Sequence, residues 1–159
     1  MNDPPPAEIM GRLRPIPTFR DHPATVARDI HGVNAGGEAI SFGVVASKEP
    51  FLLLFLSTDC LGCRDLWEGM EPLRGSVPSG VRIVVLTRGP EQEDATLVAR
   101  LVSPGTDVVM SSEAFADYRV GGPPFLVVVA GGTVQTEGVA WGIGETARAT
   151  RTALTSPRG

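Results

Sequence analysis

Cys60 and Cys63 are the only cysteines in the chain, and they stand two residues apart in "STDCLGCRDLW". A pair at that spacing can close a disulfide ring without rearranging the backbone, and one sulfur can resolve a mixed disulfide formed on the other. The apolar run before the pair reads as a buried strand and the segment after it as a helix. A sulfur at such a junction faces unpaired helix N–H groups, equivalent to about half a positive charge, and this favours the nucleophilic thiolate. Cys60 is therefore the expected attacking thiol, and Cys63, one turn along, the expected resolving thiol. Gly62 leaves the approach uncluttered. The flanking charges pull in opposite directions, because Asp59 disfavours a neighbouring thiolate and Arg64 favours one. Two other readings compete. The pair could be two unrelated buried thiols, or half of a zinc site. Structural zinc wants four ligands. The further candidates, His22 and His31, stand at no ligand spacing and read as surface or turn residues. No metal and no cofactor is expected.

The elements that must hold this pair follow from the apolar pattern. Phe51–Leu56 ("FLLLFL") is continuous apolar, as in a strand covered on both faces. Cys60 to about Arg74 carries Leu61, Leu66, Trp67, Met70 and Leu73 near helical spacing, and Gly75 and Pro78 end it. Val81–Leu86 is a second buried strand. Glu91–Val102 reads as a helix, with acids in its first turn and Arg100 in its last. "DVVM" is a short strand. Ser111 or Ser112 caps a short helix through Tyr118. Pro124–Ala130 is a third buried strand, Gly131-Gly132 a hairpin turn into "TVQTEGV", and Glu145–Leu154 a closing helix. Upstream, "TVARDIHGVNAGGEAISFG" reads as two short strands around a turn at Asn34 to Gly37. Such alternation predicts an α/β fold with a mainly parallel centre and an antiparallel hairpin at its edge.

The length of 159 residues suits one domain with a real core. A hydrophobic share of 42% and a charged share of 20% are those of an ordinary globular protein. The net charge of −4 leaves no basic footprint, so nucleic acid is not an expected partner. No apolar run approaches the roughly 18–20 residues of a spanning helix. The start "MNDPPPAEIM" has no signal-peptide core. Residues 1–18, with Pro4, Pro5, Pro6, Pro15 and Pro17, read as an extended mobile arm ahead of a domain at 19–159. The expectation is a chain soluble as written. It would be extracytoplasmic and membrane-tethered if an anchor has been removed, and cytoplasmic otherwise.

On "FLLLFLSTDCLGC", on "YRVGGPPFLVVVAGGTVQTEGV" and on the closing helix, the chain resembles the thioredoxin-like superfamily over about residues 19–155. The segment "DIHGVNAGGEAISFG" resembles the entry region of the TlpA/ResA/MauD-like branch. Members of that branch are bacterial thiol–disulfide oxidoreductases, usually anchored and facing outside the cytoplasm. The resemblance implies a central mixed sheet flanked by helices, with an N-terminal strand extension and an inserted helix–strand unit between Cys63 and Pro124. It implies exchange of the C-x-x-C pair with a protein disulfide or dithiol, served by a redox partner protein. It also implies a cis proline at Pro124, facing the cysteines, with Gly122, Pro123 and Pro124 as the substrate-binding segment.

The chain departs from the family pattern in several places. Asp59 stands where the tryptophan before the first cysteine is usual. The buried acid that assists proton transfer falls at Leu54, and the helix-kinking proline at Glu68. The residue before the expected cis proline is itself Pro123. In relatives that residue offers an N–H and a C=O to a substrate strand. Pro123 has no N–H, so one docking hydrogen bond worth about 0.5–1.5 kcal/mol is missing. A slower or more selective enzyme than a general thioredoxin is expected. Three other readings remain open. One is a non-catalytic interaction or assembly domain with a merely structural pair. Another is a peroxiredoxin-like peroxidase, suggested by Ser57 three before Cys60 but opposed by Leu53 at the place of that family's proline. The last is a copper-delivery protein, for which the cysteines stand one residue too close.

Overall fold

The computed structural model describes residues 19–155. The expected arm at residues 1–18 lies outside the described residues. One mixed eight-stranded sheet organises them: β1 (Phe19–Val26), β2 (Ile30–Val33), β3 (Ala39–Phe42), β4 (Phe51–Phe55), β5 (Arg82–Thr87), β6 (Asp107–Met110), β7 (Phe125–Ala130) and β8 (Thr133–Val139). Their order across the sheet is β1-β8-β7-β4-β5-β6-β2-β3. β4, β5 and β6 are parallel neighbours, and the remaining pairs are antiparallel. The helices are α1 (Arg64–Glu68), α2 (Met70–Ser76), α3 (Ala95–Leu101), α4 (Ser112–Asp117) and α5 (Ile143–Thr155). This is the α/β, thioredoxin-like arrangement that the sequence predicts.

β4 shows why its run is apolar throughout. It lies between β5 and β7, and all five of its residues are buried. Alternate side chains point to opposite faces of a strand. Leu52, Leu54 and Leu56 join one core with Leu66, Trp67, Met70 and Leu73 of α1–α2 and with Ala147 and Ala149 of α5. Phe51, Leu53 and Phe55 join a second core with Ala114 and Phe115 of α4, Tyr118 and Val120. The Phe55 and Phe115 rings meet edge to face with centroids 5.0 Å apart. Each fully buried Leu or Phe contributes about 1.5–3 kcal/mol. Pinned on both faces, β4 delivers the residues after it to a fixed place.

Four expectations are corrected. The helix read from Cys60 to Arg74 is not continuous. It begins as a 3-10 turn over Leu61–Cys63, becomes α1, breaks at Gly69 and restarts as α2. The glycine at the break has a steric reason. A Cβ at Gly69 would lie 2.6 Å from Ile143 Cγ1 and 2.8 Å from the Asp65 carbonyl oxygen, so only glycine lets α5 start this close. Leu61, counted in the helical apolar stripe, is 84% exposed. The helix read from Glu91 starts at Ala95 instead, because the Asp94 side chain accepts from the Thr96 and Leu97 amides and caps it. The β7–β8 hairpin, turned at Gly131 (φ +60°) and Gly132 (φ +75°), is not an edge. β1 pairs antiparallel along β8 and lies outside it, with a register shift between Asp21 and Thr25 around Pro23. Proline in a strand belongs at an edge or a bulge, and here it has both.

Candidate active site

The cysteines stand where β4 gives way to the helical segment. Cys60 takes the extended cap position of the 3-10 turn (φ −98°, ψ 120°), and its carbonyl accepts the Cys63 amide at 3.1 Å. Both are free thiols, Cys60 partly exposed and Cys63 fully buried. Burial first, and the neighbouring Cys60 side chain second, push the Cys63 thiol up to about 12. Cys63 thus holds its proton, and a partly open sulfur stands in front of it. The Cys63 core includes Leu54 and Leu56 of the β4 run, so an apolar layer packs against its sulfur.

Ser57 links this pair to its surroundings. Its amide donates to Cys63 Sγ at 3.5 Å, and its hydroxyl, which also lowers the Cys63 pKa, donates to Asp59 Oδ1 at 2.9 Å. Its carbonyl accepts the Trp67 indole N–H at 2.9 Å. Trp67, read in the sequence only as part of an apolar stripe, therefore ties α1 to the strand end that carries the cysteines.

The loop before β7 faces the pair. The peptide bond between Pro123 and Pro124 is cis. The Cys60 thiol donates to the Pro123 carbonyl at 3.7 Å, and the Pro124 ring lies 3.4 Å from where a Gly62 Cβ would stand. Gly122 borders this group as an exposed residue with open space around its Cα. Tyr118 sets where the loop begins. Its hydroxyl donates to the Arg28 carbonyl and accepts the Arg28 amide at 2.9 Å, and burial, first among the causes, raises its pKa to about 12. Arg119 then turns the chain in the left-handed region (φ +57°). Val120 is buried beneath, and at the loop's other end the Ala140 amide donates to the Pro124 carbonyl at 3.2 Å.

An open cleft of about 590 Å³ runs from Cys60 and Pro123 past Asp59 to Arg88, Glu93 and Asp94. Glu93 reaches it from a tight turn, in which the Gln92 and Glu93 amides both donate to the Gly89 carbonyl. Its carboxylate accepts the Thr58 amide at 3.1 Å and the Thr58 hydroxyl at 2.6 Å. A smaller recess of about 160 Å³ opens on the other side of Asp59 and Cys60, towards Leu61, Arg64 and Glu68. Sequence reading missed Ser57 as a hydrogen-bonding hub, Glu93 as a cleft wall and the exposed Trp141, which follows Ala140 beside the proline loop. Only the Ser57–Asp59 spacing lay within local reach. Glu93 stands 35 residues from Thr58. His31, weighed as a zinc ligand, lines a separate groove with Gly32 and Ile40. The side chain of His22 lies outside the described residues.

No family model and no curated protein matches the sequence. Solved structures do match the fold. A thiol:disulfide interchange protein of the thioredoxin family from Chlorobium tepidum superposes with a TM-score of 0.66 at 20% identity, covering 85% of this chain and 99% of that one. A secreted Mycobacterium tuberculosis disulfide oxidoreductase, described as homologous to E. coli DsbE, does so at 0.62 and 15%, covering 80% and 96%. A DsbF homologue from Corynebacterium diphtheriae gives 0.67 at 10%, covering 84% and 91%. At these identities the likeness is one of architecture, and it shows that the chain has the thioredoxin fold.

Proposed function

We propose that this chain is a thiol–disulfide oxidoreductase acting on a protein substrate. The observation that carries the reading is the graded exposure of two neighbouring thiols. Cys60 stands partly open beside the Pro123 carbonyl, and Cys63 waits fully buried behind it with its proton held. Cys60 is the attacking thiol. Its sulfur bonds to one sulfur of a substrate disulfide while the other leaves as a thiolate. Cys63 then attacks Cys60, the mixed disulfide breaks, the Cys60–Cys63 bond forms, and the second substrate sulfur departs. Two electrons pass from the dithiol to the substrate. The reverse sequence oxidises a substrate dithiol, and a redox partner protein restores the starting state. Pro124 packs on Gly62 and keeps the approach to Cys60 open, Pro123 offers its carbonyl to a substrate amide, and Gly122 leaves room for the substrate chain. The architecture shared with proteins named as disulfide oxidoreductases supports the same reading.

Trapping tests it. Cys63→Ser is expected to accumulate a mixed disulfide through Cys60 with a reducible protein such as insulin, and Cys60→Ser to form none. Two inert thiols, or equal alkylation of both, would sink the proposal and leave the interaction-domain reading.

A further inference from the structure

Between β4 and Cys60 the chain turns at Thr58–Asp59. No backbone carbonyl among the described residues accepts the Thr58 amide. Glu93 accepts it instead. One carboxylate oxygen takes the amide at 3.1 Å, and the other takes the Thr58 hydroxyl at 2.6 Å. Both oxygens of one side chain thus grip the residue two positions before Cys60. Thr58 and Glu93 are both half-buried, where a lost partner is costly and a charged acceptor is strong.

Glu93 is itself fixed. Its amide donates to the Gly89 carbonyl at 2.9 Å, and the Gly89 amide donates to Ser112 Oγ at 2.9 Å at the start of α4. The next residue, Asp94, caps α3. The cysteine turn is also tied at Ser57, whose carbonyl accepts the Trp67 indole N–H. The bond from Ser57 Oγ to Asp59 lies inside the turn and cannot fix it against the rest of the fold. Of the carboxylates that line the larger cleft, Asp59 belongs to the turn and Asp94 caps α3. Glu93 is the one that reaches the turn from another element.

On the oxidoreductase reading above, we propose that Glu93 is a positioning residue for the attacking thiol, holding Cys60 through Thr58 at the place where a substrate strand lying along Pro123 presents its disulfide. Cys60 Sγ stands 3.7 Å from the Pro123 carbonyl. The turn brings Cys60 to this meeting point from one side, and the cis proline loop brings Pro123 from the other. A substrate that touches both needs the two in register, whereas a small disulfide touches Cys60 alone. The role rests on the shape of the Glu93 side chain. Glutamine keeps that shape: its oxygen can accept the Thr58 amide while its NH2 group donates to the Thr58 hydroxyl, which turns to accept. Alanine can do neither.

The test compares kcat/KM for a long unstructured peptide disulfide with that for bis(2-hydroxyethyl) disulfide, using the full chain. A misplacement of about 1 Å can cost about 100-fold. Loosening this one turn in Glu93→Ala is expected to lower the peptide value about 10-fold and the small-disulfide value much less. Glu93→Gln is expected to recover most of the loss. Thr58→Val keeps the amide bond and loses the hydroxyl, and is expected to cost about 3-fold on the peptide, the scale of one hydrogen bond. If Glu93→Ala does not fold, Thr58→Val carries the test, and a wild-type peptide value in it overturns the proposal. A wild-type peptide value in Glu93→Ala does the same. So does an equal fall on both substrates, which places the effect on the sulfur itself, or a Glu93→Gln protein as slow as Glu93→Ala, which assigns it to charge. A wild-type protein that reduces neither disulfide removes the oxidoreductase reading, whereas an active wild type matched by Glu93→Ala removes the positioning role alone.

Discussion

Pro123→Ala places a backbone N–H where the chain now has none, next to the carbonyl that accepts the Cys60 thiol at 3.7 Å. The residue is partly exposed, alanine keeps the Cβ, and nothing buried is removed. If a substrate strand docks along this loop, the new amide can donate to a substrate carbonyl. A net hydrogen bond is worth about 0.5–1.5 kcal/mol, which corresponds to about a 2- to 12-fold rise in kcat/KM at 1.4 kcal/mol per factor of ten. Stability moves the other way. Replacing proline enlarges the unfolded ensemble and costs about 0.4–1 kcal/mol, or a few degrees in Tm for a chain of this size. The assay compares reduction of a long unstructured peptide disulfide with reduction of bis(2-hydroxyethyl) disulfide, which has no peptide group to pair. The expected result is a gain on the peptide alone, with a lower Tm. An equal gain on both substrates would place the effect on Cys60 rather than on docking. No gain on the peptide would refute strand pairing at this loop.

Two further outcomes follow from packing and charge. Gly69→Ala forces a Cβ to within 2.6 Å of Ile143 and 2.8 Å of the Asp65 carbonyl, and overpacking of this kind costs about 1–3 kcal/mol, read as a lower urea midpoint with an unchanged m-value. Cys63 is raised from an ordinary 9.0 to about 12 and Tyr118 from 10.0 to about 12. Both are neutral when protonated, so their contribution is fully present below the unfolded pKa and is lost as pH rises through the folded one. The reduced protein is expected to weaken from about pH 9 upward, with Cys63 accounting for at most about 4 kcal/mol at 1.36 kcal/mol per pKa unit. Denaturant midpoints against pH check this, since Cys63→Ala should flatten the alkaline slope and leave the part due to Tyr118. An unchanged slope would mean that Cys63 is not held neutral by the fold.

The residues that make strands and caps were legible one segment at a time. Phe51–Leu56 and Phe125–Ala130 are apolar throughout because both faces of the sheet are covered, and burial of that kind shows in composition alone. The C-x-x-C pair, its strand-to-helix junction and the Ser111 cap of α4 depend on contacts a few residues long, and so do the turns at Asn34–Gly37 and Gly131-Gly132. The need for glycine at position 69 was hidden because Ile143, which crowds it, lies far along the chain. The edge strand β1 was hidden because Pro23 interrupts its pattern and its partner β8 is distant.

By itself, then, the sequence determined an α/β chain with one vicinal thiol pair at the end of a buried strand, since periodicity, burial and spacing are local properties. Tertiary structure alone decided what surrounds that pair. It brought Pro123 and Pro124 against Cys60 and Gly62, Trp67 onto Ser57, and Glu93 onto Thr58, and it put the apolar layer under Cys63. The hydrogen bonds among them join residues 10 to 63 positions apart, and they form only when strand register and helix packing have already placed both partners.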